Sequence, residues 1–245
     1  MGSNVTQLLY VSRSAMLARL MDLDAVGNNL ANVNTPGYKA TRVNFQELMH
    51  QADINGLHPA STQALQAPGS LRTTSNGLDL AITGEGFFAV QLPDGETAYT
   101  RDGSFTLDSN NEIVSASGMR LIWNGQLPAE VDEVHVNPDG TVMARQDAGW
   151  IQAGQIELTR FANPTALQGY GQNLWLPTAA SGAAQTGAAR TGDFGSVQGN
   201  ALENSNVNLS EEMTHMIALQ RAYSLSVRAF QQSDQMFGLA VQMRR

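Results

Sequence analysis

Four histidines, one glycine pair and a scatter of acidic pairs are where this 245-residue chain offers the residue types of metal binding or catalysis. His50, His58, His135 and His215 stand far apart, and none has a second histidine at metal-ligand spacing. Because His215 also falls off the apolar seam described below, all four read as surface or structural residues. Gly84-Glu85-Gly86 has the opening of a nucleotide-binding glycine loop. The continuation fails, since Phe87 and Phe88 prolong a strand where the loop needs a helix N-terminus, and no third glycine follows in place. Gly84 and Gly86 therefore read as strand-bend or turn residues. Asp94 with Glu96, or Asp102 with Asp108, has the chemistry of a glycoside-hydrolysing pair, but nothing in the sequence sets two of them across a cleft, and aspartate is a common turn residue. The chain has no cysteine, which excludes thiol nucleophiles, thiolate zinc sites and disulfides. No catalytic, cofactor-binding or metal-binding residue is assigned, and no cofactor is implied.

The elements that would have to position any such chemistry point elsewhere. From Leu209 onward, alternating steps of four and three residues meet Leu209, Met213, Met216, Gln220, Tyr223, Val227, Phe230, Asp234, Phe237 and Val241, and eight of these ten are apolar. That is the seam of a helix made to lie along other helices. At the other end Leu9, Met16, Leu23 and Leu30 recur every seven residues, and Leu20, Val26 and Val33 widen the stripe. Asn28, Asn29, Asn32 and Asn34 close this first helix, and two readings of them stand side by side. They are helix C-terminal and turn chemistry, or a polar ladder that fixes register between packed helices. The methionines Met16, Met21, Met213 and Met216 suit either a core or a seam with non-equivalent neighbours.

Length allows one large domain or two modest ones without metals or disulfides. The N-terminal residues show no basic stretch leading into an apolar core and no small-residue cleavage site, so no ordinary secretory signal is expected. No apolar run approaches the ~18 residues of a membrane span, and no membrane insertion is expected. Residues 4–33 carry Arg13 and Arg19 against Asp22 and Asp24, and residues 209–245 carry four arginines against Glu211, Glu212 and Asp234. Those segments sum to zero and +1; with −8 for the whole chain, the rest carries −9. The end segments can pack without strong repulsion around an acidic middle. With Lys39 the only lysine, nucleic acid is not expected as a partner.

Along the chain, residues 1–38 read as an N-terminal helix closed by Asn34-Thr35-Pro36-Gly37. Residues 39–76 read as a connector with a short helix over Val43 to Gln51, and residues 77–200 as a β-rich domain. Within that domain Leu78, Leu80 and Ile82, then Phe88, Val90 and Leu92, alternate in strand fashion, continued by Val134 and Val136, Ile156 and Leu158, and Leu174 and Leu176. Turn signals fall at Pro93-Asp94-Gly95, Asp102-Gly103, Asn110-Asn111, Asn124-Gly125 and Pro138-Asp139-Gly140, which suits antiparallel hairpins. The small, glycine-rich stretch from Ala179 to Asn200 reads as loop or hinge. Residues 201–245 then hold the C-terminal helix, entered at Asn208 with Glu211 three positions on and running from 209 to 245, about 55 Å long. The fold class expected is α+β: terminal coiled-coil helices forming a stalk, with a central antiparallel β-rich domain.

At this point the words match a family. Asn28-Asn29-Leu30-Ala31-Asn32-Val33-Asn34-Thr35-Pro36-Gly37-Tyr38-Lys39 closely resembles the N-terminal signature of bacterial flagellar rod and hook axial proteins. Gly84-Glu85-Gly86-Phe87-Phe88, Ala98-Tyr99-Thr100-Arg101-Asp102-Gly103-Ser104-Phe105, Glu203-Asn204-Ser205-Asn206-Val207-Asn208 and the helix around Met216-Ile217-Ala218-Leu219-Gln220-Arg221-Ala222-Tyr223 agree in order. The resemblance implies a non-enzymatic subunit of the basal-body rod, stacking helically across the periplasm and passing torque from motor to hook. Its terminal helices would form an inner tube and its β domain an outer shell. Self-assembly would fall to Leu9, Met16, Leu20, Leu23, Leu30, Asn28, Asn29, Asn32, Leu209, Met213, Met216, Tyr223, Val227, Phe230, Phe237 and Val241. The implied partners are the protein itself, other rod and hook axial proteins, the flagellar type III export apparatus and the bushing ring proteins, with export needing no cleaved signal. The short interval from Tyr38 to Thr83 favours a proximal rod subunit, and the words from Tyr99 to Phe105 keep a distal one close behind.

Two readings of other classes compete. A cell-wall hydrolase would need two carboxylates converging in one β-domain pocket. A soluble acidic binding module would use its terminal helices as an intramolecular hairpin.

Overall fold

The computed structural model describes residues 2–50, 53–128, 130–131, 133–146 and 149–242, with side chains over 13–44, 62–128, 130–131, 133–146, 149–232 and 234–236. The chain is α+β and divides into two compact units. One comprises residues 1–32, 40–65 and 207–245, and the other residues 33–39 and 66–206.

The first unit is built from two long helices and a hairpin. Helix α1 spans Gly2–Ala31, strands β1 (Thr41–His50) and β2 (Asp53–Ala64) pair antiparallel, and helix α2 spans Leu209–Gln242. Helix α1 buries a face of mostly small residues, Ala18, Ala25 and Val26, against its neighbours, and small side chains permit close backbone approach. Helix α2 contributes buried Leu219 with half-buried Met216 and Tyr223. Its first turn is capped as the sequence reads, with Asn208 Oδ1 accepting from the backbone N–H groups of Ser210 and Glu211 at 3.1 and 3.4 Å. Glu211 and Glu212 complement the positive end of the dipole.

The hairpin corrects the short helix expected over Val43 to Gln51. Val43 and Phe45 favour a pleated surface, and a partner strand is available in β2, so pairing with Thr62 and Pro59 overrides a weak helical pattern. Proline disrupts a ladder, and the register shifts by one residue between Asn44 and Phe45, opposite Pro59.

In the second unit, β3 (Leu71–Thr73), β4 (Leu80–Thr83), β5 (Phe88–Gln91) and β6 (Thr97–Thr100) begin a set of antiparallel sheets. The largest has seven strands in the order Gln168–Gly171, Leu174–Leu176, β6, β5, Arg120–Leu121, Ile113–Ser115 and Phe105–Leu107. A four-stranded sheet runs Asn124–Gly125, Gly149–Gln155, Thr141–Gln146 and Glu133–Val136. Strand β4 pairs with Ser196–Gly199, β3 with Ala201–Glu203, and Glu157–Arg160 with Gln185–Ala188. The main core gathers the alternating residues read from the sequence: Leu78, Leu80, Ile82, Phe88, Val90, Leu92, Val134, Val136, Ile156, Leu158 and Leu174. The opposite face of β5 and β6 is also covered. Phe87, Ala89 and Tyr99 form a second cluster with Phe161 and Leu167, with Tyr99 and Phe161 rings edge to face at 4.8 Å.

Two sequence expectations change here. The stretch from Ala179 to Asn200 is not a hinge, because two of its segments are strands. Its glycines serve close approach: a side chain at Gly195 would lie 2.6 Å from the carbonyl oxygen of Thr83, and one at Gly187 would enter the Phe194 ring. Asn124-Gly125 is not a turn but a short strand against Gly154 and Gln155, where a side chain at Gly125 would meet the Trp123 ring and Ala153 O.

Candidate functional site

The most concentrated polar constellation lies within the β-rich unit and draws together three distant words of the sequence. Lys39 follows the Asn-Thr-Pro-Gly turn, Arg101 leaves β6, and Glu203 ends the strand that pairs with β3. The side chains of Lys39 and Glu203 are 1% and 0% exposed, and Lys39 Nζ lies 2.5 Å from Glu203 Oε1. Lys39 also donates to the carbonyl of Ala67 at 3.0 Å, and the Gly69 N–H donates to Glu203 Oε1 at 2.8 Å. Arg101 Nη1 stands 3.6 Å from Glu203 Oε2, its Nη2 donates to Gly84 O at 2.8 Å, and its guanidinium lies 5.2 Å from the Phe87 ring centroid. Two cations thus share one carboxylate in a closed interior. Burial pushes the Lys39 ammonium below its ordinary range, while the charge and hydrogen bond of Glu203 hold it up. Burial likewise lowers Arg101, opposed by Glu203 and Glu85.

Backbone geometry continues the same junction. The Gly37 N–H donates to the carbonyl of Glu203 at 2.7 Å, and Gly37 sits at φ +66° where a side chain would lie 2.4 Å from Asp102 N. Asn206 donates to Ala67 O at 2.9 Å, Asn204 to Ser70 Oγ at 3.1 Å and Asn173 to Pro36 O at 3.0 Å. Enclosed on all sides, the cluster presents no group to a substrate. Its chemistry is that of a latch that holds residues 37–39, 67–70 and 203–206 together.

The acidic pairs resolve into turns. Asp94 Oδ1 accepts from Glu96 N, Asp108 Oδ1 from Asn110 N and Glu112 N, and Asp102 Oδ1 from the N–H and hydroxyl of Ser104. Gly84 and Gly86 have φ +107° and +139°, as expected of strand-bend glycines. His135 is an exposed residue whose ring meets Trp150 edge on, and His50 and His58 have side chains outside the described residues. Among the described residues no group of three metal-ligating side chains assembles.

In the helical unit both readings of the asparagines apply, to different residues. Asn29 is buried, accepts from Thr41 N at 2.8 Å, donates to Thr41 O at 3.0 Å and reaches Glu212 Oε1 at 3.3 Å, so it bonds α1 to β1 and α2. Asn28 and Asn32 instead donate to carbonyls four residues earlier, at Asp24 and Asn28.

The helix residues assigned to self-assembly separate into two sets. Met16, Leu23, Leu30, Met216, Tyr223 and Val227 are half-buried, whereas Leu20, Leu209, Met213 and Phe230 are exposed. Leu9, Phe237 and Val241 lie outside the described side chains. A single-seam reading missed further exposed apolar residues, Leu17 on α1 and Ile217, Leu225 and Met236 on α2, and Met21, singled out as a core or seam methionine, is exposed as well. Leu20 falls opposite the small-residue face that α1 buries, and exposed Leu17 and Met21 lie between the two, so apolar side chains of this helix extend well beyond its buried face. The signal was present in the alternation of alanines with leucines and methionines.

Three family profiles match the chain. "Flagella basal body rod protein" covers residues 9–39, "Flagellar hook protein FlgE/F/G D1 domain" residues 81–144, and "Flagellar basal body rod FlgEFG protein C-terminal" residues 198–243. Each supplies one member of the buried cluster: Lys39, Arg101 and Glu203 respectively. The flagellar basal-body rod protein FlgG of Borreliella burgdorferi is 38% identical over 97% of this chain and 98% of its own length. That of Buchnera aphidicola from Acyrthosiphon pisum is 36% identical over 93% and 96%. The flagellar basal-body rod protein FlgF of Mesorhizobium japonicum is 34% identical over 92% of each chain.

Proposed function

The chain belongs to the flagellar basal-body rod protein family, as a structural subunit and not an enzyme, and we propose that it builds the rod by stacking with copies of itself and other axial proteins through its terminal helices. The observation that carries this reading is the broad apolar surface of helix α1. Its inner face buries Ala18, Ala25 and Val26, while Leu20 is exposed opposite and Leu17 and Met21, between the two, are 48% and 42% exposed. Fully burying an exposed aliphatic side chain is worth ~1.5–3 kcal/mol, and covering the remaining half of each of these three is worth roughly 1 kcal/mol apiece, which favours a further layer of helix outside the subunit. Helix α2 offers matching material in Leu225 and Met236, 64% and 62% exposed. Assembled, such faces form the coiled-coil inner tube, and the acidic β-rich unit forms the shell.

Export unfolded through the flagellar type III apparatus without a cleaved signal, passage of the rod across the periplasm, and contact of the shell with bushing ring proteins belong to the same proposal. The experiment is to follow a labelled copy into detergent-extracted basal bodies by electron microscopy. Density within the rod is expected, and its height assigns the proximal or distal position. Absence from intact basal bodies would overturn the proposal and favour the free acidic module.

A further inference from the structure

The helical unit contains a groove of about 750 Å³ between the second half of α1, the start of β1 and the first turns of α2. Its floor is apolar, with Ala25, Val26 and Val43, and its walls carry Asp22, Glu211 and Glu212 against Arg42, with His215 alongside. The lining side chains sum to about −2 at neutral pH, with Arg19 beside the groove pairing with Asp22 at 3.9 Å and Glu211 and Glu212 without an ion-pair partner among the described residues. The Glu212 Oε2 atom is buried there without a hydrogen-bond partner, although its sister oxygen accepts from Asn29. A buried carboxylate oxygen left open is unfavourable, and a cationic donor entering the groove satisfies it.

Helix α2 displays the complement on a different side. Met213, Ile217, Ser224, Arg221 and Arg228 fall on one exposed stripe, and neither arginine has an ion-pair partner among the described residues. At ~100° per residue, this stripe lies about 130° around α2 from the side, centred on Glu211, Glu212, Thr214, His215 and Ala218, that faces the groove. A subunit cannot fold the stripe of α2 into a groove walled by that same helix.

We infer that the occupant of the groove is the Arg221–Arg228 stripe of a second copy of this chain. The arginines meet Asp22, Glu211 and Glu212, and Met213 and Ile217 rest on the apolar floor. Because groove and stripe are different surfaces, the contact is heterologous and extends into an open helical series instead of closing as a dimer. The inference rests on the rod-assembly reading and names the surfaces that reading needs.

Charge reversal in the full-length chain, expressed in the source bacterium lacking its own copy, provides the test. Asp22→Lys with Glu211→Lys, or Arg221→Glu with Arg228→Glu, is expected to reduce incorporation into basal bodies at least tenfold, and all four together to restore it. Retained helix content by circular dichroism certifies that the helical unit still folds. Normal incorporation of either reversed pair, or no restoration in the quadruple variant, overturns the docking. Since the chain has no cysteine, Glu211→Cys paired with Arg221→Cys or Arg228→Cys adds a second measurement. A bis-maleimide too short to span the ~15 Å or more separating the positions on one helix should give a ladder of dimer, trimer and higher species. Dimers alone, or monomer, overturn it. Should Leu20→Asp block assembly while both charge reversals assemble normally, only the groove assignment falls; should all assemble, the rod-assembly reading falls with it.

Discussion

Replacing Glu203 by glutamine removes the one negative charge that Lys39 and Arg101 share, at almost constant shape. The amide oxygen can still accept from Gly69 N–H, but the contacts at 2.5 Å to Lys39 and 3.6 Å to Arg101 lose their electrostatic basis. Two buried cations then lose their shared counter-charge, leaving Arg101 only the more distant Glu85, and breaking a buried pair in this way costs about 3–5 kcal/mol. Lys39→Met is milder, at about 1–3 kcal/mol, because Glu203 keeps Arg101 and the Gly69 N–H, and the main loss is a donor to Ala67 O. The order of the two variants is the diagnostic feature. Urea unfolding followed by tryptophan fluorescence is the assay, since Trp123, Trp150 and Trp175 all belong to the β-rich unit. With an m value of about 2 kcal/mol/M, Glu203→Gln should lower the midpoint by about 1.5–2.5 M. Lys39→Met proving worse than Glu203→Gln, or Glu203→Gln falling within 1 kcal/mol of wild type, would refute the shared-counter-ion account.

Gly103→Ala would place a side chain 1.6 Å from the backbone oxygen of Leu80, so the β-rich unit should lose about 3 kcal/mol or more. Gly95→Ala, at φ +88° in open space, should cost only about 1 kcal/mol, and matching unfolding midpoints for the two would contradict this. Asp102 has its carboxyl raised by burial against the opposing hydrogen bonds of Ser104. Its contribution to stability is therefore fully present below the unfolded-state pKa and lost as pH rises through the folded one. Asp102→Asn keeps an acceptor for Ser104 and removes that titration, so the stability of the variant relative to wild type should rise as pH increases above the ordinary aspartate range of ~4. A constant difference above that range would show that Asp102 is not the titrating group.

Much of the architecture was legible because it follows from period and punctuation. The strand alternation at Leu78–Ile82 and Phe88–Leu92, the proline-glycine stop after α1 and the Asn208 cap all appear where local chemistry demands them. The misread segments are those where tertiary partners decide. Val43–Gln51 looks helical until β2 is present to pair with it, and the glycines between Ala179 and Asn200 look flexible until the backbones they admit are known. The second face of β5, with Phe87 and Ala89, was hidden because strands buried on both sides lose their alternation. The latch was spelled out in three separate words, but no local rule joins residues 39, 101 and 203. One clue was compositional: the chain's single lysine is an unusual residue to find fully buried.

The claim that the terminal helices build the rod through faces left open in the subunit is tested most directly by Leu20→Asp and Phe230→Asp. Both residues are exposed in the isolated chain, so each variant should keep wild-type helix content by circular dichroism. Each should nonetheless be missing from purified basal bodies, because assembly would bury an unpaired carboxylate in an apolar seam. Wild-type incorporation of both variants would contradict the account.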